Sequence, residues 1–302
     1  MEKGIKFVSV IEDTSYLLWQ QEIQCCHFNE NFPSLNLEVV VLYENSEPSL
    51  WAQHLSKNNN VHFYKIDTFI KQLAQKYKGF YHSYGYYLYV SENGCQPFCG
   101  IDSDVILNKT LNFKKIRESN SCHFSDCSSY LSYEYLSQYL SEEQIEDLCF
   151  IVGIKPEVVK KMKKVGGAQM VFKNFNADIF EKIAYDGQRI QNYLVPLVKS
   201  GNKIQKHVAE MWSFAWNFAL ISDICVDEEL SFCWATDDVS RMNETTFTHF
   251  AGFGEEGSFS KVIYTEKNPI FEDLSYVTVK DNCAYYWVQL MERYKHLCYK
   301  NK

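Results

Sequence analysis

The sequence predicts an α/β fold, because strand-like and helix-like segments alternate through its first half. Segment 37–43 is an apolar run of strand length, which is typical of a parallel strand covered on both faces. A chain of 302 residues with 46% apolar and 23% charged residues has the composition of a folded globular protein. No glycine-rich or polar linker divides it, so we predict one domain over residues 1–302.

Hydrophobic periodicity and local end signals set the order of the elements. Ser141 and Gln144 form a capping-box pattern, and Pro156 suits the first turn of a helix. We predict strands at 7–11, 37–43, 61–66, 96–104, 165–172, 230–235 and 262–264, helices at 16–28, 69–77, 156–164, 179–198 and from 282 onward, and an aromatic, glycine-rich loop at 247–259.

Net charge and targeting signals narrow the class of protein. The formal charge of −8 argues against a nonspecific nucleic-acid coat but leaves room for a local basic patch. The N-terminus lacks the pattern of a secretory signal, and no segment reaches the ~20 apolar residues that a membrane span needs. We therefore expect a cytoplasmic protein with no membrane partner and with its eleven cysteines reduced. Cys95, Cys99, Cys122 and Cys127 are close enough in sequence for zinc, but their spacings contain no CxxC pair, and the question stays open.

Asp102-Ser103-Asp104 is the only Asp-x-Asp triplet in the chain, and it ends a predicted strand. Two carboxylates at that spacing can converge on one hard divalent cation that keeps positions open for phosphate oxygens. Asp13 also follows a predicted strand, and ligands bind beyond the carboxyl ends of strands in open α/β sheets. The alternative for the triplet is a solvated acidic turn, which is common.

The late aromatic loop offers a third metal ligand. His249 carries an imidazole, and the glycines at 252 and 254 would let the backbone approach a phosphate closely. Lys261, a little farther on, can neutralise a leaving pyrophosphate as a point charge. The alternatives are a hydrogen-bonded structural histidine and a solvated lysine.

Small residues and a polar helix face suggest contacts to a sugar. Gly166 and Gly167 leave room for a ligand against the main chain, and Gln169 can donate to and accept from sugar hydroxyls. An ordinary glycine turn explains the pair equally well. Glu210 begins a polar stripe on an otherwise apolar helix, where it could act as an acid, a base or a hydrogen-bond acceptor for a sugar hydroxyl. The commoner explanation of such a stripe is the solvent side of the helix.

Lysines concentrate just ahead of the glycine pair. They are Lys155, Lys160, Lys161, Lys163 and Lys164. A solvated helix face is the default explanation. If the glycine turn borders a substrate site, the same charges can guide a polyanionic acceptor such as DNA.

Taken in order, these segments resemble the GT-A glycosyltransferases of the hydroxyproline O-arabinosyltransferase and peptidyl serine galactosyltransferase group. The segments that carry the resemblance are 16–20 (YLLWQ), 100–106 (GIDSDVI), 165–169 (VGGAQ), 209–212 (AEMW) and 248–253 (THFAGF), together with Lys261. The resemblance implies a GT-A fold with a mixed central sheet flanked by helices and a UDP-sugar donor. It also implies Mn²⁺ or Mg²⁺ at Asp102, Asp104 and His249, and oxygen ligands with one imidazole agree with that metal choice.

The molecule that accepts the sugar is less directly indicated by the sequence than the donor is. The chain is rich in Tyr, Phe, Asn and Lys, and we expect it to have no secretory-pathway anchor like that of the plant enzymes, so it resembles a bacterial or phage relative. Because phages glycosylate hydroxymethylated bases, we predict a DNA base hydroxyl as the first acceptor, with an arabinose-like sugar or a hexose as the group transferred. The alternatives are a peptide, glycan or small-molecule hydroxyl and, more remotely, a noncatalytic nucleotide-binding protein. The sequence leaves the oligomeric state open.

Overall fold

The computed structural model describes residues 5–74, 79–251 and 254–300. Its contacts divide the chain into two compact units. The first unit contains the chain up to Phe63, Ile101–Phe113 and the chain from Glu229 onward, and the second contains Tyr64–Gly100 and Lys114–Glu228. Both units combine helices with β-strands, so the predicted α/β class is confirmed. The single domain predicted for residues 1–302 stays a prediction.

The elements are numbered in chain order. The strands are β1 (Lys6–Glu12), β2 (Leu37–Tyr43), β3 (Asn60–Lys65), β4 (Phe98–Gly100), β5 (Val105–Leu107), β6 (Cys122–Asp126), β7 (Gly166–Phe172), β8 (Ile224–Val226), β9 (Phe232–Trp234) and β10 (Phe247–His249). The helices are α1 (Ser15–Asn31), α2 (Leu50–Leu55), α3 (Thr68–Ala74), α4 (Phe80–Asn93), α5 (Phe113–Glu118), α6 (Ser128–Leu131), α7 (Tyr133–Tyr139), α8 (Glu142–Val152), α9 (Pro156–Lys161), α10 (Ala177–Lys199), α11 (Ala209–Ile221) and α12 (Cys283–Tyr294).

In the first unit, β1 and β2 form a parallel pair that is buried at every inner position. This is the environment that the apolar run at 37–43 predicts. The Thr14 side chain caps α1 by accepting from the amide of Leu17, which satisfies a donor that the first helical turn cannot pair. Trp19 of α1 packs edge-on against Trp287 of α12, with ring centroids 5.5 Å apart, at the centre of the core of this unit.

The first unit also holds a three-stranded sheet in the order β5-β10-β9. Two predictions for this part of the chain are wrong. The segment 247–259, predicted as a loop, begins with strand β10, because its backbone pairs on both sides with β5 and β9. The apolar triplet 262–264, predicted as a strand, belongs instead to a short 3₁₀ helix at Lys261–Tyr264.

In the second unit the strands run in the order β4-β7-β6-β8. Strand β7 is antiparallel to both of its neighbours, and β8 is parallel to β6. Helix α10 packs against α4 and α11. The Phe172 ring of β7 stacks on Phe214 and Phe218 of α11 with centroids 5.6 and 4.9 Å apart, so an aromatic cluster fills this core.

Several predicted boundaries hold and others shift. The capping box of Ser141 and Gln144 is confirmed, and Pro156 opens α9 as predicted. Helix α9 ends at Lys161 rather than at 164, and the strand predicted for 96–104 ends at Gly100. Over the described residues, no helix has both the length and the apolar character needed to cross a bilayer.

Candidate active site

The acidic triplet lies in a tight turn directly before β5. The amide of Val105 donates to the carbonyl of Asp102 at 3.1 Å, which closes the turn. The side-chain amide of Gln24, on α1, donates to the carbonyls of Asp102 and Val105 at 2.7 and 2.6 Å. Since Gln24 is fully buried, helix α1 fixes the backbone from which both carboxylates project.

Strand β10 brings His249 to this turn. In the antiparallel pairing with β5, His249 stands opposite Val105, the residue that follows the acidic triplet. The amide of Phe250 donates to the carbonyl of Asp104 at 2.9 Å. On the other side of β10, His249 pairs with Trp234 of β9, and their rings stack at 5.4 Å. The strand register therefore determines both the place and the plane of the imidazole.

The three side chains converge. Nε2 of His249 lies 3.5 Å from a carboxylate oxygen of Asp102 and 3.4 Å from one of Asp104. One donor atom from each residue lies within 4.8 Å of the other two. The side chains of Asp104 and His249 are buried, whereas that of Asp102 is 39% exposed. The cluster is thus rigid at its base and open at Asp102.

Lys261 joins the cluster through an ion pair and hydrogen bond with Asp104. Burial alone would raise the pKa of Asp104, but the charges of Lys261 and His249 outweigh it and hold this pKa well below its usual range. Burial would likewise lower the pKa values of His249 and Lys261, and the two aspartates raise both instead. The Asp104 carboxylate therefore stays ionised although it is buried.

This donor set fits a divalent cation. Two carboxylates and one imidazole supply oxygen and nitrogen atoms and no sulfur, which suits Mn²⁺ or Mg²⁺ better than a soft metal. Nδ1 of His249 is buried with no hydrogen-bond partner in the described part of the chain. Strand pairing, stacking on Trp234 and the contacts of Nε2 with the two aspartates fix the position of this ring.

Three further residues of this site were not predicted from the sequence. The Tyr16 hydroxyl hydrogen-bonds Lys261, Gln24 holds the acidic turn, and Trp234 stacks on His249. A polar residue on the inner face of a helix is the signal that could have identified Gln24, because buried amides need partners. The partners of Tyr16 and Trp234 lie far away in sequence, which leaves no local signal.

Asp13 has a different set of contacts within the same unit. Its carboxylate accepts from both the amide and the hydroxyl of Ser49 at 2.6 Å. Ser49 in turn caps α2. The position after β1 is as predicted, and its contacts connect the end of β1 to the start of α2. A part for Asp13 in cofactor binding stays a prediction.

Gly166, Gly167 and Gln169 lie in the second unit, in β7, where all three are buried. A Cβ on Gly166 would meet the Cβ of Phe124 at 2.1 Å, so packing requires this glycine, whereas a Cβ on Gly167 would meet the flexible end of the Met211 side chain at 2.5 Å. Gln169 accepts from Ser125 at 2.9 Å, while its Nε2 has no partner among the described residues. Their ligand contacts stay a prediction, as do those of Gly252, which falls outside the described residues.

Glu210 is also in the second unit and is buried on α11. One of its carboxylate oxygens accepts from the amide and the hydroxyl of Ser83 at 2.8 and 2.6 Å. The other lies 3.5 Å from Nδ1 of His82. Ser213 and Asn217, which continue the stripe, are fully buried as well, so the solvent-facing explanation of this stripe is wrong. A catalytic role for Glu210 stays a prediction.

The cysteines considered for zinc do not gather. Cys95 is exposed, whereas Cys99, Cys122 and Cys127 are buried. None of the four belongs to a metal-capable group within residues 5–74, 79–251 and 254–300.

No known family model matches the sequence, and no curated protein matches it. Three glycosyltransferases are among the solved structures that resemble the chain. The bifunctional glycosyltransferase WbbM, in its apo form, is 12% identical to this chain, with a TM-score of 0.45. The match covers 85% of this chain and 47% of WbbM, so the chain spans about half the length of that protein. Galactosyltransferase LgtC, in complex with donor and acceptor sugar analogs, is 11% identical with a TM-score of 0.45, over 97% of this chain and 99% of LgtC. Mouse xyloside xylosyltransferase 1 is 10% identical with a TM-score of 0.41, over 82% of this chain and 97% of that protein.

Proposed function

We propose that this chain is a metal-dependent glycosyltransferase that moves a sugar from a UDP-sugar to a hydroxyl acceptor. The observation that carries the proposal is the convergence of Asp102, Asp104 and His249 within 4.8 Å on a turn fixed by α1. The resemblance of the sequence to GT-A glycosyltransferases supports the same function.

Asp102, Asp104 and His249 would hold the cation. When bound, Mn²⁺ or Mg²⁺ supplies positive charge that stabilises a nucleoside diphosphate as it leaves the sugar. The partial exposure of Asp102 supports this assignment, because a cation and its phosphate ligands need an approach from solvent.

Lys261 adds a second positive charge to the same place. Its ammonium group is buried beside Asp104, and the Tyr16 hydroxyl holds it there. A fixed cation that has lost most of its water interacts strongly with an anionic leaving group, since the effective dielectric constant around it is low. Lys261 is therefore proposed to bind the diphosphate, and Trp234 to hold the plane of the His249 ring.

The residues predicted in the second unit receive unequal support. The unpartnered Nε2 of Gln169 supports a contact with a sugar hydroxyl. The two hydrogen bonds from Ser83 to Glu210 support a positioning role, in which this carboxylate anchors α4, more than proton transfer. Asp13 of the first unit and Gly166 and Gly167 of the second remain proposed parts of the donor site because of their positions in the sequence.

A hydroxyl on a DNA base is the acceptor we propose first. Lys161, Lys163 and Lys164 line a cleft of about 480 Å³ in the second unit, and clustered lysines bind phosphates through counterion release. Replacing Lys161 and Lys163 with alanine should reduce the slope of log K for DNA binding against the logarithm of salt concentration. The slope should fall by about one for each phosphate contact that is lost. The exposed Lys199→Ala variant is the control. A slope that does not change favours a peptide, glycan or small-molecule hydroxyl instead.

Hydrolysis of UDP-sugars without acceptor tests the reaction itself. With a panel of UDP-sugars, we expect slow release of UDP that requires Mn²⁺ or Mg²⁺ and stops with EDTA. Full activity in EDTA would contradict the metal dependence. Tight UDP binding without turnover of any sugar would favour the noncatalytic alternative. Mass spectrometry of DNA and protein from cells that express the chain then identifies the acceptor.

A further inference from the structure

A second group of metal-capable side chains lies in the other unit, on the neighbouring strands β6 and β8. These strands are parallel, and His123 stands directly opposite Cys225 in their register. Asp227 follows Cys225 by two residues, so strand geometry directs both side chains to the same face. One donor atom from each of His123, Cys225 and Asp227 lies within 4.8 Å of the other two.

We propose that His123, Cys225 and Asp227 form a Zn²⁺ site that links strand β8 to strand β6. A thiolate, an imidazole and a carboxylate are all zinc ligands, and three protein ligands leave a fourth position for water. The thiolate distinguishes this site from the Asp102 cluster, which offers only oxygen and nitrogen atoms. A soft sulfur ligand favours Zn²⁺ over Mn²⁺ or Mg²⁺.

The charges around Asp227 support a dication here. Its side chain is fully buried, and Nδ1 of His123 contacts its carboxylate at 2.8 Å. The Lys115 ammonium also contacts this carboxylate, at 3.3 Å. A bound dication would compensate the buried negative charge directly.

The imidazole supplies a second, independent observation. Nε2 of His123 is buried and has no hydrogen-bond partner within the described residues. An unsatisfied buried nitrogen is costly, and a bound ion is one common explanation of such a group. Cys225 and the rest of β8 are only half-buried, which gives an ion a path into the site.

Cobalt is the probe that tests this site, because a cobalt–thiolate bond produces a near-ultraviolet charge-transfer band. We expect Co²⁺ added to the reduced, metal-free full-length chain to produce this band, and Zn²⁺ to remove it. The Cys225→Ser variant should lack the band. The matched control Cys95→Ser, which replaces an exposed cysteine of the same unit, should keep it. A band that persists in Cys225→Ser, or no band in the parent chain, would overturn the proposal.

Three further measurements test this site, and the first separates it from the proposed active site. Asp104→Asn should keep the cobalt band. Loss of the band in this variant would assign the band to the Asp102 cluster and contradict the proposed site. Asp227→Asn preserves the shape of the side chain but removes its charge, so zinc affinity should fall at least ~10-fold. Zn²⁺ should raise the unfolding midpoint of the parent and of Cys95→Ser but not of Cys225→Ser. Equal midpoint shifts in all three, or unchanged zinc affinity in Asp227→Asn, would contradict the three-ligand site.

Discussion

Asp104 and Glu22 are both buried carboxylates of the first unit, but their neighbours differ in charge. Asp104 lies beside the Lys261 ammonium and the His249 imidazole. Glu22 accepts from the indole of Trp51 at 3.1 Å and from the amide of Tyr299 at 2.7 Å, both neutral donors. The pKa of Asp104 lies well below its usual range, whereas burial raises the pKa of Glu22 to about 7.

The charge of the neighbouring groups determines which buried carboxylate can bind a cation. Neutral donors do not offset the cost of burying a charge, so Glu22 takes up a proton near neutral pH. Positive neighbours do offset it, so Asp104 remains an anion at every physiological pH. Glu22 also lines a cleft of about 650 Å³ formed with His54 and the C-terminal segment. A cavity beside a carboxylate therefore does not by itself define an ion site in this protein.

The largest effect is expected from removing the charge of Asp104. Asp104→Asn keeps the size of the side chain but should lower Mn²⁺-dependent hydrolysis of a UDP-sugar at least ~10²-fold, because a bound metal contributes several kcal/mol. Asp273→Asn is the control, since Asp273 is an exposed aspartate of the same unit. Steady-state kinetics decide the point. Activity close to that of the parent would place the cation elsewhere.

Glu22 should make the stability of the protein depend on pH. Its folded-state pKa of about 7 lies above the ordinary value of 4.5, so the folded state binds the proton more tightly. The stabilisation is complete below the unfolded pKa and is lost as the pH rises through the folded one. We expect a loss of about 3 kcal/mol, at most, from this group.

Urea unfolding at about pH 5 and about pH 8 measures this dependence. The difference between the two pH values should shrink in Glu22→Gln, which can still accept from Trp51 and Tyr299. It should persist in Glu47→Gln, which changes an exposed glutamate. If parent and Glu22→Gln show the same pH dependence, neutral donors suffice to keep Glu22 ionised.

Glu210 provides the smallest expected effect. One oxygen of its carboxylate accepts from neutral donors, the amide and hydroxyl of Ser83. Glu210→Gln retains an oxygen that can accept both hydrogen bonds, so we expect the unfolding free energy to fall by about 1 kcal/mol with little change in turnover. Turnover lower by ~10²- to 10⁴-fold at unchanged stability would instead identify Glu210 as an acid–base group.

Local sequence patterns predicted the first unit well where its elements depend on local signals. The apolar run of β2 and the periodicity of α1 placed both elements to within a few residues. The strand of His249 was missed because its pairing partners, β5 and β9, are distant in sequence. The acidic triplet was predicted at a strand end, but its turn depends on Gln24, which no local pattern connects to it.

The candidate site also contains residues that the sequence predicted correctly and residues whose surroundings it did not predict. Asp102, Asp104, His249 and Lys261 were selected by residue type and order, and the fold brings these four together. Glu210 was selected from a helical stripe, but periodicity cannot tell a stripe that packs on Ser83 and α10 from one that lines a cleft. The glycines of β7 were read as room for a ligand, whereas Phe124 and Met211 fill that room.

Calorimetric titration of the His249→Ala variant with Mn²⁺ and UDP is the decisive experiment for the proposed metal site. Asp102, Asp104 and His249 are claimed to hold the cation that a nucleoside diphosphate shares. Loss of the imidazole should therefore weaken Mn²⁺ binding about 10- to 100-fold and weaken UDP binding along with it. A His249→Ala protein that binds both Mn²⁺ and UDP with parental affinity would contradict the claim.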